Sequence, residues 1–510
     1  MTTTMRTRSR VRLLTAAGAF ALGVGMMTGT STAGTSTAGT STAGTSTAGT
    51  STAGTSTAGA AAAAPTEDRL ADGNTIFGRS IELHISDRDA LGWATINNGD
   101  PTDEVWLDRS YDGGETIADE RLGYTTIPDG TRGTSTEAYD INAADGTKGV
   151  LRACGKAGNR DDIVCTAWIG VEKPSTKGTP SKRAIAALVK LYNADTGLWK
   201  TTGWWNSANA LTAVLDYQLA TGDRSYDWII ANTYEKNIDA QGGNFTNDYI
   251  DDTGWWALAW IRAYDLTGDP RYLETAKFDA DFMWASRDEI CGGGVVWNIN
   301  QRYKNAVTNE LFIKVAASLH NRIPGDTEYL GQALENWEWF EASGMINEEN
   351  LINDGLDGAT CQNNGDVTWT YNQGIILGAL TELSWATGDR SYLTQAKALA
   401  DASTHSDYLH PAGVLTEPCE ANGCGADGPT FKGVYVRNLG ELNAELRGRP
   451  YQDYLDRQAE TAYEKDRNRF DQYGLHWAGP IEALSAATQQ SATEAQIAPL
   501  WKRGTGTPRR

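Results

Sequence analysis

The sequence predicts a mainly α fold, an (α/α)6 toroid or barrel preceded by a small all-β, sandwich-like domain. Three observations carry the prediction. The hydrophobic period changes from two to helical near residue 172. A Thr-Gly-Asp turn then recurs along the second region. Twelve helical-period segments pair into hairpins around those turns.

Residues 1–64 do not read as fold. Arg6, Arg8, Arg10 and Arg12 precede an apolar run from Leu13 to Met27 that is too short to cross a bilayer, the pattern of an export signal. From Gly29 to Ala58 the pentad Gly-Thr-Ser-Thr-Ala repeats six times. Such a tract offers no large side chains to bury, so a spacer is expected. A secreted, extracellular protein follows. With no other long apolar run, no membrane partner is expected. The formal net charge of −21 repels phosphate backbones, so no nucleic-acid partner is expected either.

Residues 74–172 alternate apolar and polar side chains in short runs at Ser80–Ser86, Gly92–Ile96, Glu104–Tyr111, Gly149–Ala153 and Val164–Val171. Turn clusters such as Asn97-Asn98-Gly99-Asp100-Pro101 separate them, as in a β-sandwich-like accessory domain. Trp93, Trp106 and Trp168 read as buried strand residues or as a sugar-binding face. A Pro-, Ser- and Gly-rich linker spans 173–182. Six cysteines in an exported chain read as disulfides. Cys154 and Cys165 flank a hairpin, Cys419 and Cys424 close a short loop, and Cys291 and Cys361 are left to each other among fifteen possible pairings.

The helical region runs over 183–490, with a C-terminal tail at 491–510. Ala-Thr-Gly-Asp-Arg-Ser-Tyr at 220–226, Leu-Thr-Gly-Asp-Pro-Arg-Tyr-Leu at 266–273 and Ala-Thr-Gly-Asp-Arg-Ser-Tyr-Leu at 386–393 each place a C-capping glycine before a new helix. Weaker copies follow Pro324 and Arg447. The periodic segments lie at about 179–193, 204–220, 224–238, 252–266, 271–286, 304–322, 327–343, 371–386, 390–404, 431–446, 450–469 and 477–489. Alternate helices would line the inside of the ring, with function on the rim formed by the loops leading into them. An open α-superhelix is the alternative.

Those lead-in segments share a chemistry. They are Thr202–Leu211, Tyr249–Trp256, Gly292–Trp297 with Tyr303–Ala306, Trp369–Gly374 and Phe431–Arg437. Each brings rings, amides or a cation to a helix start, the lining of a neutral-sugar cleft. The second holds Asp251 and Asp252, adjacent acids beside Trp255 and Trp256. Paired carboxyl groups cut glycosidic bonds, and flat rings suit the C–H face of a pyranose. Helix capping by Asp and tryptophans in the core are the competing reading. Five histidines without zinc-hydrolase spacing leave no metal and no cofactor implied.

Over about Lys182 to Ala486 these motifs, in this order, resemble glycoside hydrolase family 76, whose characterised members are endo-α-1,6-mannanases with an (α/α)6 barrel. The resemblance implies an α-mannan polysaccharide or mannooligosaccharide as substrate, with Asp251 as nucleophile and Asp252 as acid/base. It also implies that Asp354 contacts substrate. Adjacent residues have Cα atoms about 3.8 Å apart, which favours the close carboxyl spacing of a retaining enzyme. Trp204, Trp205, Trp297 and Tyr371 are expected platforms, and Trp255 or Trp256 is expected to desolvate the acid. Asn372 and Gln373 are expected on substrate hydroxyls, with Asn206, Tyr303 and Asn305 in the same lining. Lys304, Lys432 and Arg437 either bind hydroxyls or neutralise the acids. Two further readings stand beside hydrolysis: a mannan transglycosylase, and a non-catalytic mannan- or wall-binding protein. A monomer is the expected state.

Overall fold

Short alternating runs pair first. In this computed structural model, which describes residues 68–505, β1 (Arg69–Ile76), β2 (Arg79–Ser86) and β3 (Leu91–Asn97) form an antiparallel sheet that two-residue strands β6 (Thr134–Ser135) and β7 (Tyr139–Asp140) extend. The second sheet orders β5 (Asp119–Thr126), β4 (Glu104–Ser110), β8 (Val150–Lys156) and β9 (Val164–Cys165). The export signal and spacer expected in 1–64, and the end of the tail at 506–510, lie outside the described residues.

Strand alternation sets the sandwich core. Ile81, Leu83 and Ile85 of β2, Ala94 and Ile96 of β3, and Val105 and Leu107 of β4 are fully buried in one cluster. The outer residues of β2 and β3 then pair as Ser80 with Asn97, Glu82 with Thr95 and His84 with Trp93. The strand tryptophans do not gather on one face. Trp93 belongs to the first sheet, where its ring stacks on His84; Trp106 lies on the second under the Arg121 guanidinium, and Trp168 lies under Arg152.

The helical region follows the hairpin plan. Its helices are α1 (Pro180–Lys190), α2 (Trp204–Thr221), α3 (Asp227–Asn237), α4 (Ile250–Thr267), α5 (Pro270–Ala285), α6 (Ala306–Arg322), α7 (Glu328–Ala342), α8 (Thr370–Thr387), α9 (Ser391–His405), α10 (Phe431–Glu445), α11 (Gln452–Lys465) and α12 (Ala486–Ile497). Gly222, Gly268 and Gly388 cap α2, α4 and α8 in the left-handed conformation, with φ of 77°, 73° and 74°. The even-numbered helices touch in sequence, α2 to α4 to α6 to α8 to α10 to α12, and α12 returns to α2. That closure makes the ring a toroid. The open superhelix is thereby corrected.

Inner and outer helices differ in burial. Every residue of α8 from Thr370 to Ser384 is buried, whereas α5 buries only a stripe including Tyr272, Leu273, Ala276, Ala280 and Met283. The last inner helix departs from the sequence reading, which ended at 489 and assigned 491 onward to a tail. α12 runs from Ala486 to Ile497 with all of its residues buried. Its Ala, Thr, Gln and Ser side chains carry no apolar period, because small residues are needed where α10 comes close. At Gly433 of α10 an added Cβ would stand 2.5 Å from the Ser491 Cα.

A band of buried charge ties the ring together. Arg262 of α4 bonds Asp216 of α2 at 3.0 Å and also reaches Glu441 of α10, which takes Lys314 of α6 at 2.9 Å. Arg437 of α10 bonds Glu494 of α12 at 3.2 Å and Asn209 of α2 at 2.9 Å. Arg322 of α6 joins Asp265 of α4 at 2.7 Å and Glu382 of α8 at 3.2 Å. All six inner helices contribute. Burial alone would raise the Glu441 carboxyl, but Lys314 and Arg262 outweigh it and hold the group at about 2.

The β-sandwich is fastened to the ring by β1. Leu70 exchanges main-chain hydrogen bonds with the Gln472 side chain at 3.1 and 2.7 Å, and Asp72 pairs with Lys200 at 2.6 Å. All six cysteines pair, as Cys154–Cys165, Cys291–Cys361 and Cys419–Cys424. Among the described residues no helix is long and apolar enough to cross a membrane. Glu441→Ala leaves Arg262 and Lys314 without their shared carboxylate and is expected to cost about 3–5 kcal/mol, measured as a lower midpoint of thermal unfolding.

Candidate active site

The N-terminal ends of inner helices converge on a cleft of about 530 Å³. Trp205 comes from the start of α2, Asp251, Asp252 and Trp255 from α4, Val307 from α6, Tyr371 from α8 and Phe431 from α10. Loops add Tyr249, Trp297, Tyr303, Asn305, Asp354 and Asp427. Five of the six inner helices therefore supply the lining.

Two runs of rings shape it. Trp255 stacks on Trp205 at 5.6 Å, Trp205 meets Phe431 at 6.2 Å, and Phe431 meets Tyr371 at 4.0 Å. Trp297 lies edge-on to Tyr249 at 5.2 Å and to Tyr303 at 6.3 Å. Rings held against one another lose little further freedom when a sugar lies on them.

The two acids sit in the first turn of α4, whose N-cap residue Tyr249 makes no side-chain cap. The helix start favours their ionised forms, yet burial outweighs it. Burial, and then the neighbouring Asp252 carboxylate, push Asp251 well above the ordinary carboxyl range. Burial also pushes Asp252 up to about 7, with the Asp427 charge adding and the Asn247 amide opposing. Such a pair titrates as a unit and keeps a proton near neutrality, where an exposed aspartate would have lost it. The Trp297 indole donates to Asp251 Oδ2 at 3.2 Å, and Asn247 Nδ2 donates to Asp252 Oδ2 at 2.6 Å. Asp427 accepts from the Trp205 indole at 2.8 Å.

Asp354 is clamped separately. The Tyr303 hydroxyl donates to its Oδ2 at 2.5 Å, and its carbonyl accepts from Ala306 N–H at the start of α6 at 2.8 Å. Burial raises its carboxyl. The Cys291–Cys361 bond joins the segment before Trp297 to the one after Asp354.

Several expected lining residues lie elsewhere. Trp256 is fully buried among Phe245, Trp204 and Trp260, so Trp256 is core, Trp204 is a partly buried ring packed against it, and Trp255 alone of the α4 pair lines the cleft. Asn206 is buried and donates to Thr430 Oγ1 at 2.8 Å, tying α2 to the start of α10. Gln373 grips both main-chain groups of Ile352 at 2.8 Å and so sets the Asp354 loop. Asn372 is fully buried below the cleft, with neither side-chain atom hydrogen-bonded among the described residues.

The cations are corrected too. Lys304 is buried against Asp288 at 2.8 Å and the Gly294 carbonyl, and Lys432 against Glu420 at 2.6 Å and the Leu475 carbonyl at 2.7 Å. Arg437 belongs to the axial charge band. All three hold structure because a buried lysine or arginine, in the loop before α6 or on α10, is tolerable only opposite a carboxylate or carbonyl.

Asp427, Phe431, Tyr249 and Val307 complete the cleft without having been predicted as site residues. Phe431 and Tyr249 stand inside the lead-in segments, so they were within reach. Asp427 lies in an aperiodic loop whose direction no pattern sets. As for metals, one group among the described residues has ligand spacing, Asp108 with Cys154 and Cys165, and its sulfurs are spent in a disulfide.

Residues 180–505 match the family model described as Glycosyl hydrolase family 76. Mannan endo-1,6-alpha-mannosidase DFG5 of Saccharomyces cerevisiae is 27% identical over 319 residues, 56% of this chain and 68% of that protein. Mannan endo-1,6-alpha-mannosidase DCW1 of the same yeast is 30% identical over 271 residues, 48% of this chain and 58% of that protein. The solved alpha-1,6-mannanase of Salegentibacter sp. superposes with a TM-score of 0.57 at 27% identity, over 63% of this chain and 98% of its own. An inactive variant of that enzyme, with two consecutive aspartates changed to asparagine and alpha-1,6-mannotriose bound, gives 0.58 at 27% identity over the same shares.

The raised carboxyls weaken the fold as pH increases. Asp252 holds its proton more tightly folded than unfolded, so its contribution is full below about 3.8 and is lost as pH rises towards about 7. Asp252→Asn removes that loss and is expected to add about 1–4 kcal/mol at pH 8 and almost nothing below pH 3.8, read from thermal unfolding at the two values.

Proposed function

The chain belongs to glycosyl hydrolase family 76 and is a glycoside hydrolase; from that premise we propose that it cleaves α-1,6-mannosidic linkages within mannan, with retention of configuration. The observation that carries this is the Asp251–Asp252 pair, two adjacent raised carboxyls in a ring-lined cleft. The mannan linkage is supported by the names of the relatives, and the role of the pair by the inactive double-asparagine variant.

Burial by itself would leave the shared proton on Asp251. Two neighbours act the other way. The Trp297 indole stabilises an ionised Asp251, and the Asp427 charge opposes ionisation of Asp252. The assignment of Asp251 as nucleophile and Asp252 as acid follows the family resemblance; these two contacts favour it and the Asn247 hydrogen bond to Asp252 opposes it. With a sugar across the rings, Asp252 passes its proton to the glycosidic oxygen as that oxygen leaves C1, and the Asp251 carboxylate bonds to C1 from the other face. Asp252, now ionised, takes a proton from water as the water oxygen displaces Asp251. The Tyr303–Asp354 clamp offers hydrogen-bonding groups to substrate hydroxyls beside the pair. The paired cysteines suit an oxidising compartment outside the cytoplasm.

Asp251→Ala and Asp252→Ala are each expected to lower release of reducing ends from linear α-1,6-mannan by about 10²–10⁴-fold. Azide separates their roles on a substrate with an activated leaving group. It replaces a missing nucleophile with one inversion, giving the β-azide, but attacks the covalent intermediate of the acid/base variant to give the α-azide. The opposite pattern reverses the assignment. In the intact enzyme activity falls as pH rises through about 7, where Asp252 loses its proton, and Asp427→Asn moves that limb to lower pH, seen in kcat/KM against pH.

A further inference from the structure

The sixth inner helix adds nothing to the cleft, and its start faces a second concavity. Ser485 and Ala487 at the beginning of α12 line a groove of about 570 Å³ whose other wall is the outer face of β2 and β3. Thr201, Thr202 and Gly203 close one side and Gly425 and Ala426 another. These two segments run directly into Trp205 and Asp427, whose 2.8 Å hydrogen bond stands at the edge of the catalytic cleft. The two segments thus lead from the groove to that pair at the edge of the cleft.

The groove is built. Glu82, buried beneath it, accepts from the Ser80 hydroxyl at 2.8 Å and from Thr95 at 3.2 Å, and lies 3.2 Å from the His84 ring. The His84 ring is braced face-on by Trp93 at 5.6 Å and 11°. The wall cannot swing away from the rim, because β1 is fixed to Gln472 and Lys200, and an added Cβ at Gly73 would collide with the Thr201 side chain at 2.2 Å. Among the described residues, hydroxyls, amides, carboxyls and the His84 ring share the groove with apolar side chains such as Pro429, Ile481 and Leu484, and no lysine or arginine lines it. That set rejects anions and matches a neutral polyol with many donors.

We propose that this groove is a second carbohydrate-binding site, taking the part of a mannan chain that extends past Trp205 and Asp427, so that the β-sandwich selects for long substrate. This rests on the mannan reading above. Two variants of the full chain test it. His84→Ala removes the braced ring, and Thr75→Trp fills the groove from an exposed strand position. Each should lower kcat/KM on polymeric linear α-1,6-mannan about 5–20-fold, in the range of an interface contact, while activity on a mannotetraose stays within about twofold. Unchanged circular dichroism and thermal midpoint certify folding, and if His84→Ala unfolds, Thr75→Trp decides. Equal losses on both lengths, or no loss on the polymer, overturn the proposal. An unmodified chain that cleaves no α-1,6-mannan overturns the functional reading instead.

Discussion

Charge buried along the axis of the helical ring is the constraint on which the rest of the molecule depends. A closed ring must turn one side of each inner helix towards the others, and Arg262, Lys314, Arg322 and Arg437 are carried there by α4, α6 and α10. Each can be buried only opposite a carboxylate, so Asp216, Asp265, Glu382, Glu441 and Glu494 fix which helix lies beside which and at what height. Apolar packing alone would hold such helices together but would tolerate sliding. Directional contacts between basic and acidic side chains that link α2, α4, α6, α8, α10 and α12 do not.

Once register is set, the helix starts align on one rim, and chemistry collects there. The acids of α4 are desolvated by rings from its neighbours, which is why their protons are held at pH values where an exposed aspartate would have lost them. The same burial weakens the fold, a conflict common where a site must keep groups in unfavourable surroundings. Asp427 shows how finely the neighbours decide, since it touches the substrate cleft, holds Trp205 in place and biases the proton of Asp252.

Much of this was legible in the chain. Thr-Gly-Asp turns marked helix ends because glycine alone adopts the cap conformation without strain, and ring-rich lead-ins marked the rim. Legibility failed where one residue type serves two environments. Lys432 and Arg437 sit within the first two turns of α10, which Phe431 begins, and nothing in their spacing tells a hydroxyl donor from half of a buried ion pair. Trp204 and Trp205 are adjacent, yet one packs against the core and the other faces the cleft. The helix α12 was displaced in the reading because its buried side chains are small and polar, so its burial leaves no apolar period.

The bond between Cys291 and Cys361 spans 70 residues that include Trp297, Tyr303, Asn305, the whole of α6 and α7, and Asp354. A protease that nicks the backbone anywhere inside that span produces two pieces still joined through sulfur. Much of one wall of the cleft can thus be cut without being released, which gives the hydrolase a tolerance to backbone damage that its equilibrium stability does not measure.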